Sequence, residues 1–214
     1  MGETLFHGAD IGTASAVFLL LHGRDQSPAD MMQDVVSRLP LPEVAWVLPK
    51  SPRAAWYDAR AIDPLALVTR EQLAEGIGVI DDMLAQIRRA QPAVPVLLAG
   101  FSQGACLTAE YLFARGGVVD AAAILTGCRV GVAGDTRPMA PLRGLPVYTS
   151  GSDVDPWIPA HAFHAMQEEL TTAGARIRAD LLPGRAHEVA KTEIAALSAM
   201  LTELAAGRPA LEAA

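Results

Sequence analysis

The stretch Val94–Glu110 constrains this chain more than any other. It opens with an apolar run, Val94-Pro95-Val96-Leu97-Leu98-Ala99, as a strand buried on both faces would. It closes with good helix formers, and between the two lies Gly100-Phe101-Ser102-Gln103-Gly104. Two glycines around a serine let the backbone turn sharply from strand into helix, because neither carries a Cβ that would clash. Such a turn lifts the Ser102 hydroxyl out of the sheet edge. It also aims the first N–H groups of the helix at whatever that hydroxyl attacks. Ser102 is therefore the candidate nucleophile, and the plainer alternative is an ordinary strand-to-helix turn. A serine hydroxyl needs a base to take its proton, and the base needs an acid to orient it.

The rest of the chain supplies a scaffold for such a turn. Leu5-Phe6-His7 reads as a short edge strand, and Ala16–Leu21 as a fully buried one ending in His22-Gly23-Arg24-Asp25. Ser27-Pro28-Ala29-Asp30 starts a helix, with serine at the cap, proline at the first position and an acid in the first turn. That helix is expected to run to about Leu39. Val44–Leu48 is the next strand, and a loop holding Trp56, Tyr57 and Asp58 leads to a long helix over about Thr69–Arg89. An apolar strand recurs at Ala121–Leu125, and further strands are read at Leu145–Ser150 and Ala175–Leu182, with helices over Ala160–Ala173 and up to about Ala206. The segment Arg129–Gly144 reads as a loop too short for a cap domain, and the tail Gly207–Ala214 as loose. Alternating strands and helices, with most strands lacking a polar face, predict a single α/β domain: a mostly parallel sheet covered by helices on both faces. Ligands bind such sheets beyond the carboxyl ends of the strands. His22, Ser102, Asp155 and His187 all fall there.

Composition narrows the partners. The 214 residues are 51% hydrophobic and 19% charged, with a net charge of −7 and no basic run. Nucleic acid and anionic membrane are thereby disfavoured as principal partners. The longest apolar runs are strand-sized, far short of a bilayer span, so no integral membrane association is expected. No basic n-region precedes an apolar segment at Met1-Gly2-Glu3-Thr4, so no leader peptide is read there. Cys106 and Cys128 form no disulfide framework or metal pattern, and Cys106 reads as a small core thiol. A cytoplasmic location fits these features. A homodimer is left open.

The base must come from five histidines. His7 sits in an edge segment. His161 and His164 stand three apart on a helix without a third ligand at metal spacing, so they read as a solvated face. His187 follows the last strand, on a loop that can reach across the sheet end to a serine on a central strand. It is the expected base, since its ordinary pKa of about 6.5 suits proton transfer near neutrality. The acid belongs on the neighbouring loop, where Asp153 and Asp155 both qualify. Asp155 precedes Pro156, which biases it toward an extended conformation, and it is the favoured choice; Asp153 is the turn-capping alternative. The order Ser102, Asp155, His187 is that of α/β-hydrolases. The N–H of Gln103, directly after the nucleophile, and that of Arg24, on the first strand-to-helix loop, are the expected oxyanion donors.

These motifs, His22-Gly23, Trp56-Tyr57-Asp58, Gly100–Gly104, Asp153–Pro159 and Pro183–His187, occur in that order. The set resembles the phospholipase/carboxylesterase family of α/β-hydrolases, which includes bacterial carboxylesterases and acyl-protein thioesterases. The resemblance implies a serine esterase without cofactor or metal, acting on a small-molecule ester through Ser102, Asp155 and His187, with Arg24 and Gln103 at the oxyanion positions. Two departures shape the expected substrate. Family members often read His-Gly-x-Gly-Asp, whereas this chain has His22-Gly23-Arg24-Asp25-Gln26, so a charged side chain stands beside the oxyanion site. The loop after Asp58 is also shorter than in acyl-protein thioesterases. Short or polar acyl esters are therefore expected, with thioesterase or lysophospholipase activity as the alternative. Trp56, Tyr57 and Trp157 either wall a substrate pocket or seal its rim. Arg24 either reaches over the pocket mouth or pairs with Asp25, Asp30 or solvent. A dienelactone hydrolase would want cysteine where Ser102 stands, and a non-catalytic binding module usually lacks a triad member.

Overall fold

The computed structural model describes residues 3–212. Met1, Gly2, Ala213 and Ala214 lie outside them, and with them part of the segments read above for a leader and a loose tail. Strands β1 (Leu5–Gly8), β2 (Ala16–Leu21), β3 (Val44–Leu48), β4 (Val96–Phe101), β5 (Ala121–Leu125), β6 (Pro146–Gly151) and β7 (Arg176–Leu181) form one sheet. Its order is β1-β3-β2-β4-β5-β6-β7. Only β1 runs antiparallel, pairing Leu5 with Leu48 at the edge; all other neighbours are parallel. This is the α/β-hydrolase architecture, and no cap domain interrupts it among the described residues.

Alternation along the central strands assigns two cores. Val17, Leu19, Leu21, Leu98, Ile124 and Val147 point to one face, where they meet helices α2 (Leu67–Ala90), α3 (Gln103–Arg115) and α4 (Ala160–Thr172). Phe18, Leu20, Trp46, Leu97, Phe101 and Leu125 point to the other, under helices α1 (Pro28–Asp34) and α5 (Lys191–Ala205). With both faces covered, β2 to β5 carry apolar residues at nearly every position, which is why the sequence shows them as apolar runs. Among the described residues no helix is long and apolar enough to cross a membrane.

Ser27 caps α1 as its sequence predicts: its Oγ accepts from Asp30 N–H while Asp30 Oδ2 accepts from Ser27 N–H at 2.7 Å. The helix ends sooner than expected. It breaks at Val35 and resumes as a 3₁₀ turn over Val36–Arg38, so Val36 is buried and Arg38 can reach the Asp34 and Val189 carbonyls.

The tail expected to be loose is docked over the described residues 207–212. Ala210 is buried against the α5 face, Leu211 N–H donates to Glu203 Oε2 at 2.8 Å, and Arg176 of β7 donates to the Ala210 and Leu211 carbonyls, each at 2.6 Å. A side-chain donor on a strand, Arg176, and a side-chain acceptor on a helix, Glu203, supply the anchors that the tail's own composition lacks.

Candidate active site

Ser102 sits between β4 and α3 in a backbone conformation that side chains rarely adopt, with φ 54° and ψ −117°. Close main-chain packing holds it there. A Cβ on Gly100 would lie 2.2 Å from the Gly104 carbonyl oxygen, and one on Gly104 would lie 2.3 Å from that of Leu21. Helix α3 can thus start hard against the end of β2 only because both positions are glycine. Ser102 N–H donates across to Leu125 O at 3.0 Å.

The structure brings the three expected side chains together. Ser102 Oγ lies 2.8 Å from His187 Nε2, and His187 Nδ1 lies 2.7 Å from Asp155 Oδ2. An ionised Asp155 only accepts, so Nδ1 carries the proton and Nε2 is free to accept from the serine hydroxyl. Burial by itself would raise the Asp155 carboxyl. The His187 hydrogen bond and the Ile158 and Trp157 N–H groups, both at 2.9 Å from Oδ1, outweigh it and hold the group below the ordinary carboxylate range. Asp153 does not meet His187. Its Oδ1 accepts from Gly184 N–H at 2.7 Å, tying the acid-bearing loop to the histidine-bearing one.

The two expected oxyanion positions both line the cavity over Ser102. The packing of α3 against β2 sets Gln103, its first residue, beside the His22-Gly23-Arg24 loop; a Cβ on Gly23 would lie 3.3 Å from that of Ser102. Neighbouring N–H groups are occupied: that of Gly23 by Gln26 Oε1 at 3.0 Å, that of Asp25 by Ala54 O at 3.3 Å. The N–H groups of Arg24 and Gln103 donate to no acceptor among the described residues. His22 props the loop from beneath. It is buried, its Nδ1–H donates to Gly23 O at 2.7 Å, and its Nε2 accepts from Ser51 N–H at 3.0 Å. Burial lowers its pKa, so it stands neutral as a strut.

The aromatic residues divide. Trp56 is fully buried, its Nε1–H donates to His22 O at 2.8 Å, and its ring packs on that of His22, so it does not line the cavity. The pocket-wall reading is corrected for Trp56: a loop backbone with its carbonyl partner inward draws the indole into the core. Tyr57 contributes to the cavity wall although most of its ring is core, and Trp157, 60% exposed, stands at the rim. The cavity over Ser102 and His187 measures about 260 Å³, and Arg24, Tyr57, Arg60, Ala61, Trp157 and Ile158 are among its lining. Arg24 pairs with neither Asp25 nor Asp30; its Nη2 spans the cavity edge to Tyr57 O at 3.0 Å and Ala59 O at 2.6 Å. Cys106 is buried as expected and also reaches the cavity.

Several supports carried no sequence signal. Both ends of the Gln103 amide hold the wall loop: Oε1 accepts from Trp56 N–H at 2.9 Å, and Nε2 donates to Tyr57 O at 2.6 Å. Arg185, buried beneath the histidine loop, donates to Thr126 Oγ1 at 2.6 Å, and its carbonyl accepts from Ser152 Oγ at 2.7 Å. Arg60 stands in the wall loop, with no motif of its own. Among the described residues no three metal-ligating side chains come together.

A sheet of this order with a serine at the turn after β4 defines an α/β-hydrolase. More particularly, the chain belongs to the phospholipase/carboxylesterase family, whose model matches residues 9–205. Solved structures share the fold. A phospholipase/carboxylesterase from Dyadobacter fermentans superposes with a TM-score of 0.82 at 23% identity, covering 94% of this chain and 97% of that one. The Bacillus cereus carboxylesterase gives 0.74 at 18% identity, with 95% of each chain covered. Arabidopsis thaliana SOBER1 gives 0.71 at 19%, covering 88% and 98%. Among curated proteins none matches significantly.

Proposed function

We propose that the protein is a serine esterase that cleaves short or polar carboxylic esters through an acyl-enzyme. The observation that carries this reading is the continuous relay from Asp155 through His187 to Ser102, with contacts of 2.7 and 2.8 Å. Ser102 Oγ attacks the ester carbonyl while His187 Nε2 takes its proton. The Arg24 and Gln103 N–H groups, otherwise without partners, receive the oxyanion. Collapse expels the alcohol, which leaves with the proton from Nε2. Water then repeats the sequence on the acyl-enzyme, releasing the acid and restoring the serine. Asp155 remains ionised throughout and steadies the imidazolium that forms. A cavity of about 260 Å³ lies below the ~300–1,000 Å³ usual for drug-sized ligands, which favours short acyl groups over long ones.

The test is a fluorophosphonate probe followed by a series of nitrophenyl esters from acetate to palmitate, with an acyl thioester beside them. The expected result is a single adduct on Ser102 and a rate that falls with acyl length. No adduct would sink the esterase reading. A maximum at palmitate would sink the preference for short chains.

A further inference from the structure

Ester cleavage leaves the two arginines of the cavity without a task. Both line the space over Ser102, and neither pairs with a carboxylate in a chain whose net charge is −7. Arg24 is held by neutral partners, the Tyr57 and Ala59 carbonyls, both on Nη2. Its Nε and Nη1 donors have no acceptor among the described residues. Arg60 is placed by its backbone, whose N–H donates to Asp63 Oδ2 at 2.9 Å, while its guanidinium makes no hydrogen bond there. The acid of the lining is Asp25, so two cations share a small, partly apolar space with one carboxylate.

From this arrangement we infer that the site takes esters that carry a free carboxylate on the acyl side, that is, half-esters of short dicarboxylic acids. The inference rests on the esterase reading above. With the scissile carbonyl at Ser102, a short methylene linker would run along Ala61 and Ile158, and its terminal carboxylate would meet the open donors of Arg24 and Arg60. Guanidinium groups suit this role because they stay charged and present planar sets of donors to a carboxylate. Arg24 is already oriented by its two carbonyls, so little side-chain freedom is lost when the anion binds.

The experiment compares kcat/KM for monoethyl succinate with that for ethyl 4-methylpentanoate, which has the same shape and no charge. The wild type is expected to favour the half-ester by at least about tenfold, the scale of a hydrogen bond to a charged group. Arg60→Gln, at an exposed residue whose side chain holds nothing in place, should remove most of that ratio. Arg24→Gln should do the same, and added salt should erode the wild-type ratio. Two results would overturn the carboxylate site alone: equal turnover of both esters by a protein that takes the probe at Ser102, or a ratio unmoved in both variants. A protein that takes no probe and cleaves neither ester would overturn the esterase reading and this inference with it.

Discussion

Around Ser102, the wall formed by the loops after β2 and β4 is organised by main chain, whereas the loops after β6 and β7 are organised by side chains. On the first side, Gly100 and Gly104 allow carbonyls of neighbouring elements to approach within what a Cβ would occupy, and the groups proposed to act are N–H donors. On the second, Asp155 and His187 reach Ser102 through their own side chains, while Asp153, Ser152 and Arg185 stitch the loops together. The difference teaches where each half is vulnerable. The main-chain half fails when atoms are added, and takes the fold with it. The side-chain half fails when atoms are removed, and the fold survives.

The largest effect comes from removing side-chain atoms at the turn after β4, where the two halves meet. Ser102→Ala should lower kcat by about a millionfold, the loss typical of a triad nucleophile, with an unchanged circular dichroism spectrum. Residual turnover above about a thousandth of wild type would assign the nucleophile elsewhere. Asp155→Asn should cost about ten-thousandfold in kcat, because an amide favours the wrong histidine tautomer. It carries a pH signature as well. The Asp155 carboxyl is held below its ordinary value, so its contribution to stability is present above about pH 4 and is lost as pH falls through the folded-state pKa. The gap in Tm between wild type and Asp155→Asn should therefore be full at neutral pH and close in acid.

Gly104→Ala tests the other half. Its new methyl would meet the Leu21 carbonyl oxygen at 2.3 Å and that of His22 at 2.6 Å, both backbone. A loss of at least about 4 kcal/mol is expected, or roughly 8–16 °C in Tm. A folded Gly104→Ala protein with wild-type Tm would break the contrast between the halves. The smallest effect is Asp153→Ala. It removes the acceptor for Gly184 N–H, costs about 1 kcal/mol of stability, and leaves kcat within a few-fold. A kcat as low as that of Asp155→Asn would instead make Asp153 part of the reacting relay.

The strands, the turn at Ser102 and the placing of Asp155, not Asp153, against His187 were legible in the sequence because each leaves a local mark. Buried strands show as apolar runs, the turn needs two glycines, and Pro156 biases its predecessor. What stayed hidden depends on contacts between distant segments. Trp56 looks like any loop aromatic until His22 O is seen to take its N–H. Ala210 and Leu211 show no periodicity, and their anchors are Arg176 and Glu203, which carry no mark of that role. Arg24 announced a charge near the oxyanion position, but its direction is set by the Tyr57 and Ala59 carbonyls. Arg60 reaches the same cavity from a loop with no pattern at all.

Gln103 joins two duties in one residue. Its amide clasps the Trp56-Tyr57 backbone, behind the Tyr57 wall, at both ends, and its own N–H is an expected oxyanion donor. An oversized acyl group that pushes this wall outward therefore also displaces the group meant to receive the developing charge. Discrimination would then fall on the acylation step more than on occupancy: ill-fitting esters would enter, block the site and react slowly. In pre-steady-state kinetics, a lengthening acyl chain should depress the acylation rate constant while the dissociation constant changes little. Such an enzyme behaves toward long esters as a sluggish trap, selective by timing and not by exclusion.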